Sequence, residues 1–424
     1  MASKEEHDHS HYHGVDSAEK HVSVDEALAL FLGRIGETRS EIVKVSGSDG
    51  RILFSNVICP GNLPRVARSS RDGYAIKLAT DSDILSFTVV GEVKIGTIPK
   101  LKIESGEAAK VATGSSVPRG ANAVVMREYS QVEDERLVIS KTPKPGDNIV
   151  SPGEDLKKGQ LLFVSGTRLR PQHVALLSML GIDKVRVFSK PRIAFFSTGD
   201  ELEDTGFHRN RKDSASRIFD SNRPFLSASI SELGGIPIDL GIARDNFKEI
   251  RAKMSRGLGF DALLLSAGSS VGDRDYVSKA AESIVGVEMV VHGVAMRPSS
   301  PTGLAIFRKK PIIFLPGFPT SAIVSFYIFG RAAILKLSGS SSVELPTIKA
   351  TIEEDFVGKP GLSHFLRVRI VREDEKYRAS VVRPTEAQYS SWLRQANGIA
   401  ILGKDGKTSL KCGDQVSIFM IGDA

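Results

Sequence analysis

Cysteine is almost missing from this 424-residue chain: only Cys59 and Cys412 are present. Two thiols give no disulfide framework, and a reducing compartment fits best. Long apolar runs are scarce as well. The most apolar window, Ala322 to Leu337, is broken by Arg331 and falls short of the roughly 18 residues a membrane span needs. The N-terminus is polar and lacks the apolar core of a secretion signal. These absences predict a cytoplasmic protein with no membrane partner. Charge of one sign is not concentrated either. The 57 Lys and Arg against 50 Asp and Glu leave +7 and a pI of about 9.2, a balance that favours anionic ligands in general. The basic residues are scattered, with no aromatic-rich stacking stretch, which argues against a nucleic-acid partner.

What is present is an ordinary globular composition, 41% hydrophobic and 25% charged, on a chain too long for one core. Three or four domains are expected. Residues 1–22 read as a disordered tail in which His7, His9, His11 and His13 alternate, with transition-metal binding as the other reading. A helix starts near Ser23, where Glu26 follows a capping serine by three and Leu28, Phe31 and Ile35 form a stripe. Residues 50–147 are short strands broken by Gly and Pro, a β-rich module. Residues 148–190 bridge onward, with a helix from Gln172 stopped at Gly181. They pair with 23–49 as a discontinuous linker domain. From 191 to 337 apolar strands alternate with helices: Arg192-Ile-Ala-Phe-Phe-Ser, Ala262-Leu-Leu-Leu-Ser and Pro311-Ile-Ile-Phe-Leu. That pattern predicts an α/β domain with a parallel sheet covered on both faces. Residues 345–424 return to alternation, as in a small antiparallel sheet or barrel.

Ligands of such a sheet bind beyond the carboxyl ends of its strands. Three strand ends here run into Gly- and polar-rich loops. The first is Ser197-Thr198-Gly199-Asp200-Glu201. The second is Ser266-Ala-Gly268-Ser269-Ser270-Val-Gly272-Asp273-Arg-Asp275. The third is Leu315-Pro316-Gly317-Phe-Pro-Thr-Ser321. Gly268 and Gly272 let backbone N–H groups approach an anion, and Ser269 and Ser270 add hydroxyl donors. Pro319-Thr-Ser at a helix start offers orphan N–H groups to a phosphate or oxyanion. The carboxylates suit Mg²⁺, which takes a few carboxylates plus ligand phosphates. The plainer reading of Asp200 and Asp273 is that each caps the next helix. Gly403-Lys-Asp-Gly-Lys-Thr imitates a phosphate loop, but Ile401 stands where the required glycine would be, so it reads as a polar turn. His173, His208, His292 and His364 lack metal-ligand spacing.

Six motifs occur in one order: Ser70-Arg-Asp-Gly-Tyr-Ala, Ala112-Thr-Gly-Ser-Ser-Val-Pro, Pro152-Gly-Glu-Asp-Leu, Ser197-Thr-Gly-Asp-Glu-Leu, Val271-Gly-Asp-Arg-Asp-Tyr and Leu315-Pro-Gly-Phe-Pro-Thr-Ser-Ala. In that order they resemble the MoeA/gephyrin E-domain family of molybdopterin molybdenumtransferases, over nearly all the chain after residue 22. The resemblance implies a four-domain elongated homodimer with its site near the subunit interface. It implies hydrolysis of adenylylated molybdopterin with divalent-cation help, insertion of molybdate or tungstate, and release of AMP. Carried over by motif, the functional residues are Asp72, Thr113, Asp155, Glu201, Asp245 and Asp275. Glu201, Asp273 and Asp275 are the expected Mg²⁺ ligands. Thr198, Gly199, Asp200, Gly268, Ser269, Ser270, Arg297, Pro298, Ser300, Pro301, Pro316, Gly317 and Ser321 are the expected ligand-binding set. Asp72, Thr113 and Asp155 lie outside the α/β domain, so the resemblance implies that a partner subunit supplies them. A molybdopterin adenylyltransferase and cofactor-accepting enzymes are the expected further partners.

One departure stands out. Where the family pattern has Lys-Pro-Gly-Lys-Pro, this chain has Arg297-Pro-Ser-Ser-Pro301. Arg297 still suits an oxyanion, but Ser300 loses a charge. Competing readings are an adenylyltransferase or a CinA-like pyrophosphatase sharing only the α/β domain, and a non-catalytic scaffold. The β-module motifs argue against the first two, and the full carboxylate set argues against the last.

Overall fold

Helix α1 (Val24–Leu32) begins where the sequence puts its cap. Ser23 Oγ accepts the Glu26 N–H at 3.3 Å, and Asp25 and Glu26 fill the first turn, satisfying an end donor and the helix dipole. The computed structural model describes residues 21–78, 85–204, 217–267, 276–383, 391–403 and 406–422. The chain divides into two units, Met1–Glu41 with Phe188–Ala424, and Ile42–Val187.

In the first unit the central sheet contains β1 (Arg192–Thr198), β2 (Ile236–Ala243), β3 (Ala262–Ala267), β4 (Val287–His292), β5 (Gly303–Phe307) and β6 (Lys310–Pro316), in the order β2-β1-β3-β6-β5-β4. The first four in that order are parallel, as the apolar strand pattern predicts, and β5 and β4 add an antiparallel edge. Both faces are covered. Ile193, Phe195, Leu264, Ile313 and Leu315 face α1, α2 (Asn222–Glu232) and α5 (Pro319–Leu337), while Ala194, Phe196, Leu263, Leu265 and Ile312 face α3 (Phe247–Gly257) and α4 (Tyr276–Glu282).

Among the described residues, α5 alone is long and apolar enough to cross a membrane. However, 72% of its apolar window is buried inside the protein, as a core helix would be. It carries a π-helical segment at Phe326–Gly330.

The sequence grouping of 23–49 with 148–190 does not hold for the first helix. Val24, Ala27, Phe31 and Ile35 bury themselves in the sheet's core, and residues through Glu41 stay with that unit. An amphipathic stripe identifies a buried face but not the surface it will meet.

Residues Thr347–Met420 add a five-stranded barrel, closed where Ser363–Glu373 pairs with Gly398–Leu402. One of its pairings, Thr351 opposite Arg378, is parallel, so it is a mixed barrel rather than an antiparallel one.

The second unit is built on a six-stranded sheet in the order Ala123–Met126, Gly73–Ile76, Glu107–Val111, Ser86–Val93, Arg136–Ile139, Ser130–Glu133. Apolar clusters lie against it around Ile76 and Phe87, and around Ala75 and Val111. A further core gathers Leu53, Leu169, Leu177 and Val187 around the helix Pro171–Met179.

Candidate active site

At the carboxyl end of β1 the chain turns at Gly199, whose N–H donates to the Ala243 carbonyl at 3.1 Å and so ties the ends of β1 and β2 together. Its φ of 155°, and a would-be Cβ only 2.7 Å from Glu201 Oε1, leave room for glycine alone unless that carboxylate swings away. Beyond it, the Asp200 N–H donates to Asp245 Oδ2 at 3.3 Å, and the Asp245 N–H donates to Asp200 Oδ1 at 3.2 Å. Asp200 is therefore no helix cap. At the helix that follows it, α2, the first N–H groups go to Asp220 Oδ1 instead, from Asn222 at 3.0 Å and Arg223 at 3.2 Å. Burial pushes the Asp245 carboxyl above the usual carboxylate range, and the charges of Asp200 and Glu201 push the same way, against the bond from the Asp200 N–H and the charge of Arg244. Arg244 spends its guanidinium on the carbonyls of Asp200 and Leu202, at 3.1 and 3.2 Å. Two further carboxylates thus act on a partly buried Asp245, with Arg244 set against them.

A buried polar layer lies under the neighbouring strand ends. Asn222 Nδ2 donates to Ser266 Oγ at 2.7 Å and to the Gly317 carbonyl at 2.8 Å, and Ser266 Oγ donates to the Pro316 carbonyl at 3.3 Å. Asn222 Oδ1 and Ser197 Oγ are buried with no partner among the described residues. The start of α2 is fixed by Arg223, which binds Asp220, Asp239 and Asp204 together.

The Arg297–Pro301 loop is held against the start of α5, with Ser299 Oγ donating to the Ser321 carbonyl at 2.6 Å. Thr302 Oγ1 donates to the Ser299 carbonyl at 2.8 Å, and Ser299 has a φ of 86°. Met296 and Arg297 also pair with Ser363 and His364 of the barrel. Arg297 is exposed. Gly303, at the start of β5, lies opposite Phe314, so the loop stands at the carboxyl end of β6. The carboxylate group and this loop therefore flank the end of β3. The residues that follow β3 in the expected set, Gly268, Ser269, Ser270, Asp273 and Asp275, lie outside the described residues.

In the second unit, Asp72 Oδ1 accepts from the Thr113 N–H at 2.7 Å and from Thr113 Oγ1 at 3.0 Å. Those two bonds, with Arg127 nearby, hold the exposed carboxyl below the usual range. Gly73 follows it because a Cβ there would lie 1.8 Å from the Val125 carbonyl oxygen. Asp155 is exposed, its N–H donating to the Leu63 carbonyl at 3.1 Å. The bonds of the Asp72–Thr113 pair do not include it.

Two stretches of the chain match family models: "MoeA N-terminal region (domain I and II)" over residues 22–181, and "Probable molybdopterin binding domain" over 194–336. The molybdopterin molybdenumtransferase of Nostoc sp. is 33% identical over 309 residues, 71% of this chain and 70% of that protein. That of Haemophilus influenzae is 30% identical over 328 residues, covering 77% and 80%. The chain belongs to the molybdopterin molybdenumtransferase family. The architecture agrees: a molybdopterin biosynthesis MoeA protein of Pyrococcus horikoshii superposes with a TM-score of 0.77 at 28% identity, over 95% of this chain and all of that one. Because the first model covers the β-rich unit, relatives made of the α/β domain alone are not favoured. Among the described residues of this transferase, no three His, Cys, Asp or Glu side chains are placed to hold a metal ion. The described part of the expected Mg²⁺ set, Glu201, does not form a cage by itself.

Asn222, Ser266 and Ser197 are absent from the sequence-derived set. In sequence, Asp220-Ser-Asn222 looks like a helix cap and the two serines look like strand ends. Their only signal is a polar residue closing an otherwise apolar buried strand.

Proposed function

We propose that the protein transfers molybdate or tungstate to adenylylated molybdopterin, with hydrolysis of the pyrophosphate link and release of AMP. One observation carries this reading: Asp200 and Asp245 are joined at the ends of β1 and β2, and burial first, with the charges of Asp200 and Glu201 second, holds the Asp245 carboxyl above its usual range. Perturbed carboxylates in a strand-end crevice are a frequent sign of acid–base or phosphoryl-group chemistry. Glu201 is the acidic residue of this group assigned to the cleavage step, and Arg297, exposed on its loop, attracts the oxyanion. A Mg²⁺ ion in this reaction would come with substrate phosphates and offset their charge, Glu201 being the described carboxylate of its expected set. A homodimer is the proposed working form, in which Asp72, Thr113 and Asp155 of one subunit serve the site of the other. Changing Glu201 to Gln should slow AMP release by at least about a hundredfold while the fold stays intact. AMP release at the wild-type rate would end the assignment.

A further inference from the structure

Ser299 has a left-handed backbone, with a φ of 86°, at the position where the family pattern has glycine. A side chain is disfavoured in that region, and such an outlier calls for an account of what the residue does. Ser299 is also only 4% exposed, although the ends of its loop, Arg297 and Pro301, are exposed.

Its hydrogen bonds supply the account. Ser299 Oγ donates to the Ser321 carbonyl at 2.6 Å, a bond that glycine could not make. The Ser299 carbonyl accepts from the Thr302 N–H at 3.1 Å and from Thr302 Oγ1 at 2.8 Å. Thr302 Oγ1 has then used its one proton, so it accepts from Ser325 Oγ at 2.5 Å. Ser321 and Ser325 lie one turn apart on α5, and Thr302 and Ser325 are wholly buried. The middle of the loop is thus tied twice to the first turns of α5, through hydroxyls that water does not compete for. The Ser300 carbonyl closes the loop on its own start by accepting the Val294 N–H at 2.8 Å. A glycine at 299 would leave this backbone freer. A loop fixed before its ligand arrives has less freedom to lose on binding.

We propose that Ser299 is a positioning residue: its hydroxyl anchors the loop to α5 and so fixes the place from which Arg297 meets the oxyanion. This rests on the transferase reading for its ligand, though not for its geometry. The test uses the full chain, with tungstate as the probe. Ser299→Gly accepts the same φ and removes only the hydroxyl. Hydrogen exchange at the Val294 and Thr302 amides, whose acceptors lie in the loop, should quicken about tenfold. Tungstate binding, read by calorimetry, should weaken about fivefold. In an Arg297→Ala background the same change should leave tungstate binding unmoved, because the two residues act through one contact. Equal weakening in both backgrounds would make Ser299 merely structural and overturn the proposal. Unchanged exchange in Ser299→Gly overturns it too, as does faster exchange with tungstate bound as tightly as before. Wild-type protein that releases AMP but binds no tungstate also overturns it. If exchange quickens but the wild type neither binds tungstate nor releases AMP, Ser299 still sets the loop and the transferase reading falls.

Discussion

Asp200 and Asp245 each accept a hydrogen bond from the other's backbone N–H, at 3.2 and 3.3 Å. This reciprocal clasp joins the loops after β1 and β2 and sets two carboxylates side by side, with Glu201 adding its charge to Asp245.

Burial makes Asp245 a source of instability that function explains. Its folded carboxyl is raised, chiefly by burial, so the folded state binds that proton more tightly than the unfolded chain. Stability from this group is greatest at low pH and declines as pH rises from the usual carboxylate value through the raised one. Asp245→Asn, which can still accept the Asp200 N–H, should melt about a degree or two higher at neutral pH and lose most AMP-releasing activity. Calorimetric melts between pH 3.5 and 7 check this: the gap between variant and wild type should widen as pH rises, and a gap independent of pH would contradict it.

Thr113 sets the state of Asp72 in the opposite direction. Its N–H and hydroxyl both donate to the carboxylate and favour the charged form. Thr113→Val keeps the N–H and removes the hydroxyl, so the Asp72 carboxyl should titrate higher than in the wild type. Carboxyl-carbon NMR reads this directly, and an unchanged titration would show the hydroxyl bond to be inconsequential.

Much of this was legible in the sequence. The buried strands β1, β3 and β6 announced themselves as apolar runs, and the loops after them were correctly expected at strand ends. Three hairpin turns were not legible. Asp134–Glu135, Arg308–Lys309 and Asp374–Glu375 all adopt positive φ at both positions, the type I′ geometry that usually shows itself through Asn-Gly. Without glycine, the antiparallel edge at β5 gave no turn signal. The partner of α1 was hidden for a different reason, since a stripe does not say what it packs on. Asn222 was hidden because hydrogen bonds across 44 and 95 positions of sequence have no local signature.

Arg297 marks the departure from the family's lysine pattern. A hydrogen bond to a charged group contributes roughly 1.5–3 kcal/mol. Arg297→Ala should therefore raise the molybdate or tungstate concentration for half-maximal insertion by about ten- to a hundredfold, while AMP release suffers less. Ser300→Lys should be tolerated or tighten oxyanion binding. Unchanged oxyanion dependence in the Ala variant would make Arg297 structural.

The histidine-rich segment His7–His13, outside the described residues, should be dispensable. The fold engages the chain from Val22, whose carbonyl accepts the Ala295 N–H at 2.9 Å. Deleting residues 1–20 should leave turnover within about twofold. A large loss restored by Zn²⁺ or Ni²⁺ would reveal a metal role instead.

The most direct test of the central claim is a single-turnover incubation of the purified chain with adenylylated molybdopterin, Mg²⁺ and either molybdate or tungstate. AMP and protein-bound metal are then counted in the same sample. The transferase account predicts one AMP released for each metal atom recovered on the pterin, with both lost together in Glu201→Gln. AMP released with no metal incorporated under either oxyanion would show a nucleotide pyrophosphatase and contradict it.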